Sequence, residues 1–130
     1  MAELTRKDLV LALISAGEHP RLRRVDLSGL DMRGLSLDGA DLTGANLQGS
    51  NLTNAHLSGA ILQSADLRGC ILEAADLTGA NLEGAQLNGA VLVQTICRNA
   101  DFSESDVSDA NWKDADLEGA HLEKAIGFKG

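Results

Sequence analysis

Three histidines, two cysteines and a crowd of aspartates are the residues of this chain whose chemistry could be catalytic. His19, His56 and His121 are remote from either cysteine in the sequence, and Cys70 and Cys97 have no second thiol or imidazole at metal-ligand spacing. Two lone cysteines do not make a disulfide framework and read as small core residues. The serines and threonines lack a histidine or lysine placed to activate a nucleophile. Most of the 14 glycines recur five residues apart, which is punctuation and not a phosphate-cradling loop. The aspartates read as solvated, and nothing there raises a carboxyl pKa toward the range of a general acid. These residues point away from an enzyme, and none of them calls for a cofactor or a metal.

Charge narrows the partners. The 130 residues carry a formal net charge of −8, divided into +2 over residues 1–24 and −11 over residues 25–125. An acidic body repels nucleic-acid phosphates, so no direct nucleic-acid binding is expected, and an unidentified protein is the expected partner. No apolar run has the length of a membrane span, so no membrane is expected either. Residues 9–16 (LVLALISA) follow Arg6 and Lys7 in the manner of a leader. Glu3 and Asp8 spoil the basic region, however, the run is short, and no small-x-small cleavage site follows. The expected location is the cytoplasm.

What positions these residues is a repeat. The chain is 44% apolar but only 2% aromatic, and leucine and alanine supply most of the apolar side chains. From Val25 to Ala125 it reads in units of five, among them Ala40-Asp41-Leu42-Thr43-Gly44, Ala45-Asn46-Leu47-Gln48-Gly49 and Ala75-Asp76-Leu77-Thr78-Gly79. Fifteen of the 20 central residues are Leu, and the others are Met32, Cys97, Phe102, Val107 and Trp112. The residue two before the centre is Ala in 13 units, and the fifth residue is Gly in 11. A period of five matches neither 3.6 nor 2, so no continuous helix or strand keeps both Leu and Ala on one core. The chain must turn once per unit, with small-x-Leu extended, its first and third side chains inward and the Asp or Asn between them outward. Gly suits a corner that needs positive φ, and Asn54, Asn99, Asp109 and Asp114 are its best substitutes. Gln94, Glu104 and Lys124 are poor ones, so a second corner geometry is expected there.

Residues 40–92 in particular resemble the pentapeptide-repeat family, whose pattern is A-(D/N)-L-x-x. The resemblance implies an all-β solenoid, a right-handed quadrilateral β-helix of about five 20-residue coils, roughly 24 Å long at about 4.8 Å per coil. Its expected core includes Leu42, Leu47, Leu52, Leu57, Leu62, Leu67, Leu72, Leu77, Leu82, Leu87, Leu92, Phe102 and Trp112. Residues 20 apart should then stack. In that register no outward Asp stands above another: one column runs Asp26, Asn46, Asp66, Gln86, Asp106 and another Asp31, Asn51, Ile71, Val91, Asn111. This spacing avoids like-charge contacts.

The domain plan is a capping helix and connection over residues 1–24, the repeat over 25–125, and a tail over 126–130. Thr5 reads as the helix N-cap with Asp8 in the first turn, Leu9, Val10, Leu13 and Ile14 as the covering face, and Gly17 as the stop. Glu18 to Arg24 would connect, with Arg21, Arg23 and Arg24 as a small basic spot. Ile126 and Phe128 are the residues available to fold over the far end. So short a tail makes no capping helix, which leaves a monomer or an end-to-end homodimer.

Units 91–115 depart most from the pattern, with Phe102, Val107 and Trp112 as centres. Ile71, Val91 and Ile96 stand where other units carry mostly Asp or Asn, and Val93 lies at the intervening corner. Together they form a small apolar patch, the candidate protein-interaction site. The expected function is a non-enzymatic interaction module or regulator presenting a rigid acidic rod. One alternative comes from the resemblance: some members of the family mimic duplex DNA on the DNA-binding surface of a topoisomerase such as DNA gyrase, which a supercoiling assay tests. The other is a bare structural spacer, for which no outward substitution would matter.

Overall fold

Repetition at five residues commits the backbone to one motif, used from end to end. In this computed structural model, which describes residues 5–16 and 19–129, the residue before the centre forms a parallel bridge with the residue 20 positions on, from Arg21 through Asp106. Unit 40–44 shows the bonding. The Leu42 N–H donates to the Ile61 carbonyl at 2.7 Å, the Ile61 N–H donates back to the Ala40 carbonyl at 2.9 Å, and the Gly44 N–H reaches the Gln63 carbonyl at 2.9 Å. The Ala45 N–H closes a turn on the Leu42 carbonyl at 2.9 Å. Gly44, third in that turn, has φ +66°, as a type II turn requires. Four such turns return the chain above its starting point after 20 residues. With so little extended chain between turns, the bridges stay isolated, and no run of adjacent paired residues forms among the described residues.

The interior is a stack of Leu and Ala layers. Leu42, Leu47, Leu52, Leu57, Leu62, Leu67, Leu72, Leu77, Leu82, Leu87, Leu92 and Phe102 are at most 1% exposed. Burial of each such side chain contributes about 1.5–3 kcal/mol. The inward hydroxyls are satisfied: Ser50, Thr95 and Ser105 each donate at 2.7 Å to a main-chain carbonyl, of Leu47, Leu72 and Phe102 in turn. Trp112, expected in the buried core, is only partly buried. It belongs to the last full turn of the rod and has no layer above it.

Three expectations are corrected. First, the ladder starts at Arg21 and ends at Ile126, one unit beyond each expected boundary. Arg21 to Arg24 are therefore not a free connection: Arg21 bridges Asp41, Leu22 is 8% exposed within the core, and Arg24 is a corner at φ 60°. Second, Gln94 and Glu104 do not use another corner geometry, since both have φ +58°, the same left-handed conformation as the glycines. Ser64 and Ala74 do likewise at 60° and 57°. The carbonyl ladder above and below fixes the corner and overrides local preference. Near Lys124 the pattern changes, with the Glu104 N–H bonding the Lys124 carbonyl at 3.2 Å. Third, Ile126 does not fold over the end but is 57% exposed. Phe128 packs there instead, edge-on to Trp112 at 5.6 Å, and Trp112 is edge-on to Phe102 at 5.3 Å.

At the other end α1 spans Arg6–Ala16. The Asp8 N–H donates to the Thr5 hydroxyl at 3.1 Å, and the Thr5 N–H to the Asp8 carboxylate at 3.3 Å, a reciprocal N-terminal cap. Leu9 is fully buried, with Val10 and Leu13 packed beside it on the same core as Leu22, Leu30 and Leu35. The Ile14 side chain and Gly17 lie outside the described residues. Arg6 ties the helix to the first coil by donating to the carbonyls of Asp31 and Arg33 at 2.9 and 2.8 Å. Among the described residues no helix is long and apolar enough to cross a membrane.

Candidate interaction surface

Each outward Asp or Asn has a local task. Its Oδ1 accepts the N–H of the residue two positions on: Asp41 accepts from Thr43 at 3.1 Å, Asn51 from Thr53 at 3.1 Å and Asp76 from Thr78 at 2.9 Å. Where that residue is Thr or Ser, its hydroxyl donates to the same oxygen, at 2.7 Å for Thr43 and 2.6 Å for Thr78. Where it is Arg, the guanidinium pairs with the carboxylate in two bonds: Arg68 on Asp66 at 2.9 and 2.7 Å, Arg33 on Asp31 at 2.9 Å twice. Arg98 instead reaches Asp116 in the next coil at 2.6 Å.

These bonds all favour the ionised form. The Arg33 side chain draws the Asp31 pKa down to about 2. The Arg68 side chain lowers Asp66, the Thr43 hydroxyl lowers Asp41, and the Arg98 side chain lowers Asp116. Such carboxylates act as acceptors and fixed charges, not as proton donors near neutral pH. The thiols are withdrawn from chemistry in the opposite way: Cys70 and Cys97 point inward, and burial raises both pKa values to about 12. His56 and His121 are exposed in different columns, and His121 Nδ1 lies 3.5 Å from Glu123 Oε1. His19 is exposed ahead of the ladder. No cluster of three or more potential metal ligands occurs among the described residues.

The aliphatic substitutions form the surface that remains. Ile71 and Val91 are bridged directly, both half-buried, with Val93 half-buried at the corner between this column and the next. Ile96 follows on that next face, 38% exposed, between Asp76 below and Asp116 above. All four patch residues therefore lie around one edge. Ile61 is also exposed, at 37%, but its column places it between Asp41 and Asn81, away from that edge. Its apolar side chain in an outward position was legible in the sequence.

A second apolar surface is the C-terminal end. Trp112, Leu117, Leu122, Ala110 and Ala125 are inward by register yet only partly buried. A cleft of about 240 Å³ opens beside Trp112, lined also by Val107, Asp109, Ala110, Gly127 and Lys129.

Comparison with known proteins places this architecture. A family model described as pentapeptide repeats matches residues 21–59, 36–73, 55–94 and 95–126. The pentapeptide-repeat protein Rfr23 from the cyanobacterium Cyanothece 51142 aligns with 92% of this chain and 99% of its own, at 24% identity and TM-score 0.56. HetL from Nostoc sp. strain PCC 7120, a pentapeptide-repeat protein involved in heterocyst differentiation regulation, aligns over 85% of this chain and 60% of its own at 29% identity and TM-score 0.48. Trypsin-treated QnrB1, a plasmid-mediated fluoroquinolone resistance protein, aligns over 77% of this chain and 56% of its own at 21% identity and TM-score 0.62. Rfr23 and QnrB1 share the fold. No curated protein matches the chain.

Proposed function

Because the chain belongs to the pentapeptide-repeat family, we propose that it is a non-enzymatic interaction module, a rigid rod that binds a protein partner in the cytoplasm. The rod is read as a right-handed quadrilateral helix of about five coils, closed at its N-terminal end by α1. The observation that carries the reading is the edge formed by Ile71, Val91, Val93 and Ile96, where aliphatic side chains replace the polar residues of neighbouring units. Aliphatic groups gathered at one place, Ile96 exposed and the others half-buried, favour contact with another surface.

The test is affinity capture with wild type and with Val91→Asp/Ile96→Asp, both outward changes that leave the Leu layers intact. Loss of a partner by the variant, at equal melting temperature, supports the edge as the binding site; equal capture removes it.

The DNA-mimic alternative draws on the −11 of the repeat. Against it stand the arginines folded onto Asp31, Asp41, Asp66 and Asp116, which break the acidic columns into neutralised segments.

The C-terminal end supports a further part of the proposal, pairing of two copies end to end. Among the described residues the N–H groups of Trp112, Leu117 and Leu122, which in lower coils bond the next layer, have no acceptor, and their side chains are half uncovered.

A further inference from the structure

A unit of the middle coils has five main-chain N–H groups, and the rod itself satisfies four. In unit 50–54 the N–H of Ser50 closes the turn on Leu47, that of Asn51 bonds the Leu30 carbonyl, that of Leu52 the Ile71 carbonyl and that of Asn54 the Glu73 carbonyl. The fifth, on Thr53, is taken by the Asn51 side chain at 3.1 Å. Unit 90–94 makes the same four bonds, to Leu87, Cys70, Asn111 and Lys113. Val91 has no oxygen to offer, so the Val93 N–H has no acceptor among the described residues. Directly below, Ile71 leaves the Glu73 N–H open in the same way, and on the next face Ile96 leaves that of Arg98.

Open amides occur elsewhere, but singly. Those of Gln63 and Asn88 stand between capped neighbours, Thr43 and Glu83 in one column and Arg68 and Ser108 in the other. The column through Ile71 and Val91 is the one place among the described residues where two stacked units both leave this donor unused, about 4.8 Å apart.

A donor set among branched methyl groups is penalised when an apolar surface covers it and satisfied when an oxygen does. Around the edge Glu73, Asp76, Asp114 and Asp116 outnumber Lys113 and Arg98, and Arg98 is already bonded to Asp116. An approaching carboxylate is therefore disfavoured, and a cation favoured. Resting on the reading that this edge binds a protein, we propose that its occupant is a positively charged partner segment. That segment lays an aliphatic side chain on Ile71, Val91 and Ile96 and gives neutral carbonyl oxygens, from its main chain or a carboxamide, to the N–H groups of Glu73 and Val93. The partner supplies here what Asn51 and Asn111 supply in the units below and above.

The whole chain, isotope-labelled at amides and methyls, is titrated with a capped lysine–leucine–asparagine–lysine peptide and with its counterpart carrying glutamate for lysine. The lysine peptide is expected to shift the Glu73 and Val93 amide protons saturably, together with the Ile71 and Val91 methyls, while the glutamate peptide leaves them in place. The variant Ile71→Asn/Val91→Asn, which supplies its own acceptors, is expected to melt several degrees higher and to bind the lysine peptide at least about tenfold more weakly. Methyl shifts without amide shifts, or undiminished binding by the Asn variant, would overturn the acceptor chemistry and leave the edge as a contact surface. Stronger binding of the glutamate peptide, or no shift with either peptide, would also overturn it. Failure of the underlying reading shows separately, as equal lysate capture by wild type and Val91→Asp/Ile96→Asp.

Discussion

Gln94 stands at a corner with φ +58°, a conformation that costs an ordinary side chain about 1–2 kcal/mol. The corner persists because the Gln94 N–H and its ladder partner, the Lys113 carbonyl 2.8 Å away, hold it there. Gln94→Gly should therefore stabilise the protein by about 0.5–1 kcal/mol, the gain being trimmed by the larger conformational entropy of an unfolded glycine. Urea denaturation measures it, and a lower midpoint would contradict the left-handed corner. The Asp and Asn residues were legible as outward-facing, but their task was not. Reading period and polarity says only that a polar side chain points to water, whereas the cap on the N–H two residues on follows from the turn geometry.

At the scale of the element, the unit is too short to be stable alone and owes its stability to the coils on either side. Leu77 lies in a middle coil and is fully buried, so Leu77→Ala should cost about 2–5 kcal/mol by equilibrium unfolding. Leu122 is chemically the same residue in the same register, but its layer is open. Measured on the single-chain form in dilute solution, Leu122→Ala should cost less than half as much, and a loss that approaches that of Leu77→Ala as concentration rises would report an end covered by pairing. Helix α1 was legible from Thr5, Asp8 and the apolar run. Its attachment through Arg6 was not, because the carbonyls of Asp31 and Arg33 are distant in sequence and come within reach only when the first coil closes.

For the whole molecule the two ends differ. One is covered by α1 and Leu9, while the other ends in the Phe102–Trp112–Phe128 aromatic ladder with Leu117 and Leu122 partly uncovered. The end-to-end pairing proposed above through these half-covered layers is checked by mass. Light scattering should give about twice the mass of one chain, and Leu117→Glu/Leu122→Glu should return it to a single chain. A single-chain mass for the wild type would overturn end-to-end pairing.

By itself the sequence determined the repeat, its unslipped register and the identity of the inward Leu and Ala positions, because a period of five fits neither helix nor strand and requires a turn in every unit, while the columns that stack 20 apart were read from the resemblance to the pentapeptide-repeat family. Only the tertiary structure decided the corner conformation at Gln94 and Glu104, the extension of the ladder to Arg21 and Ile126, the role of Phe128 in place of Ile126, and which amides remain open. The corners, the ladder ends and the packing of Phe128 depend on hydrogen bonds and layers contributed by residues of neighbouring coils, which override what a residue prefers among its immediate neighbours, and the open amides follow from the turn geometry those bonds impose.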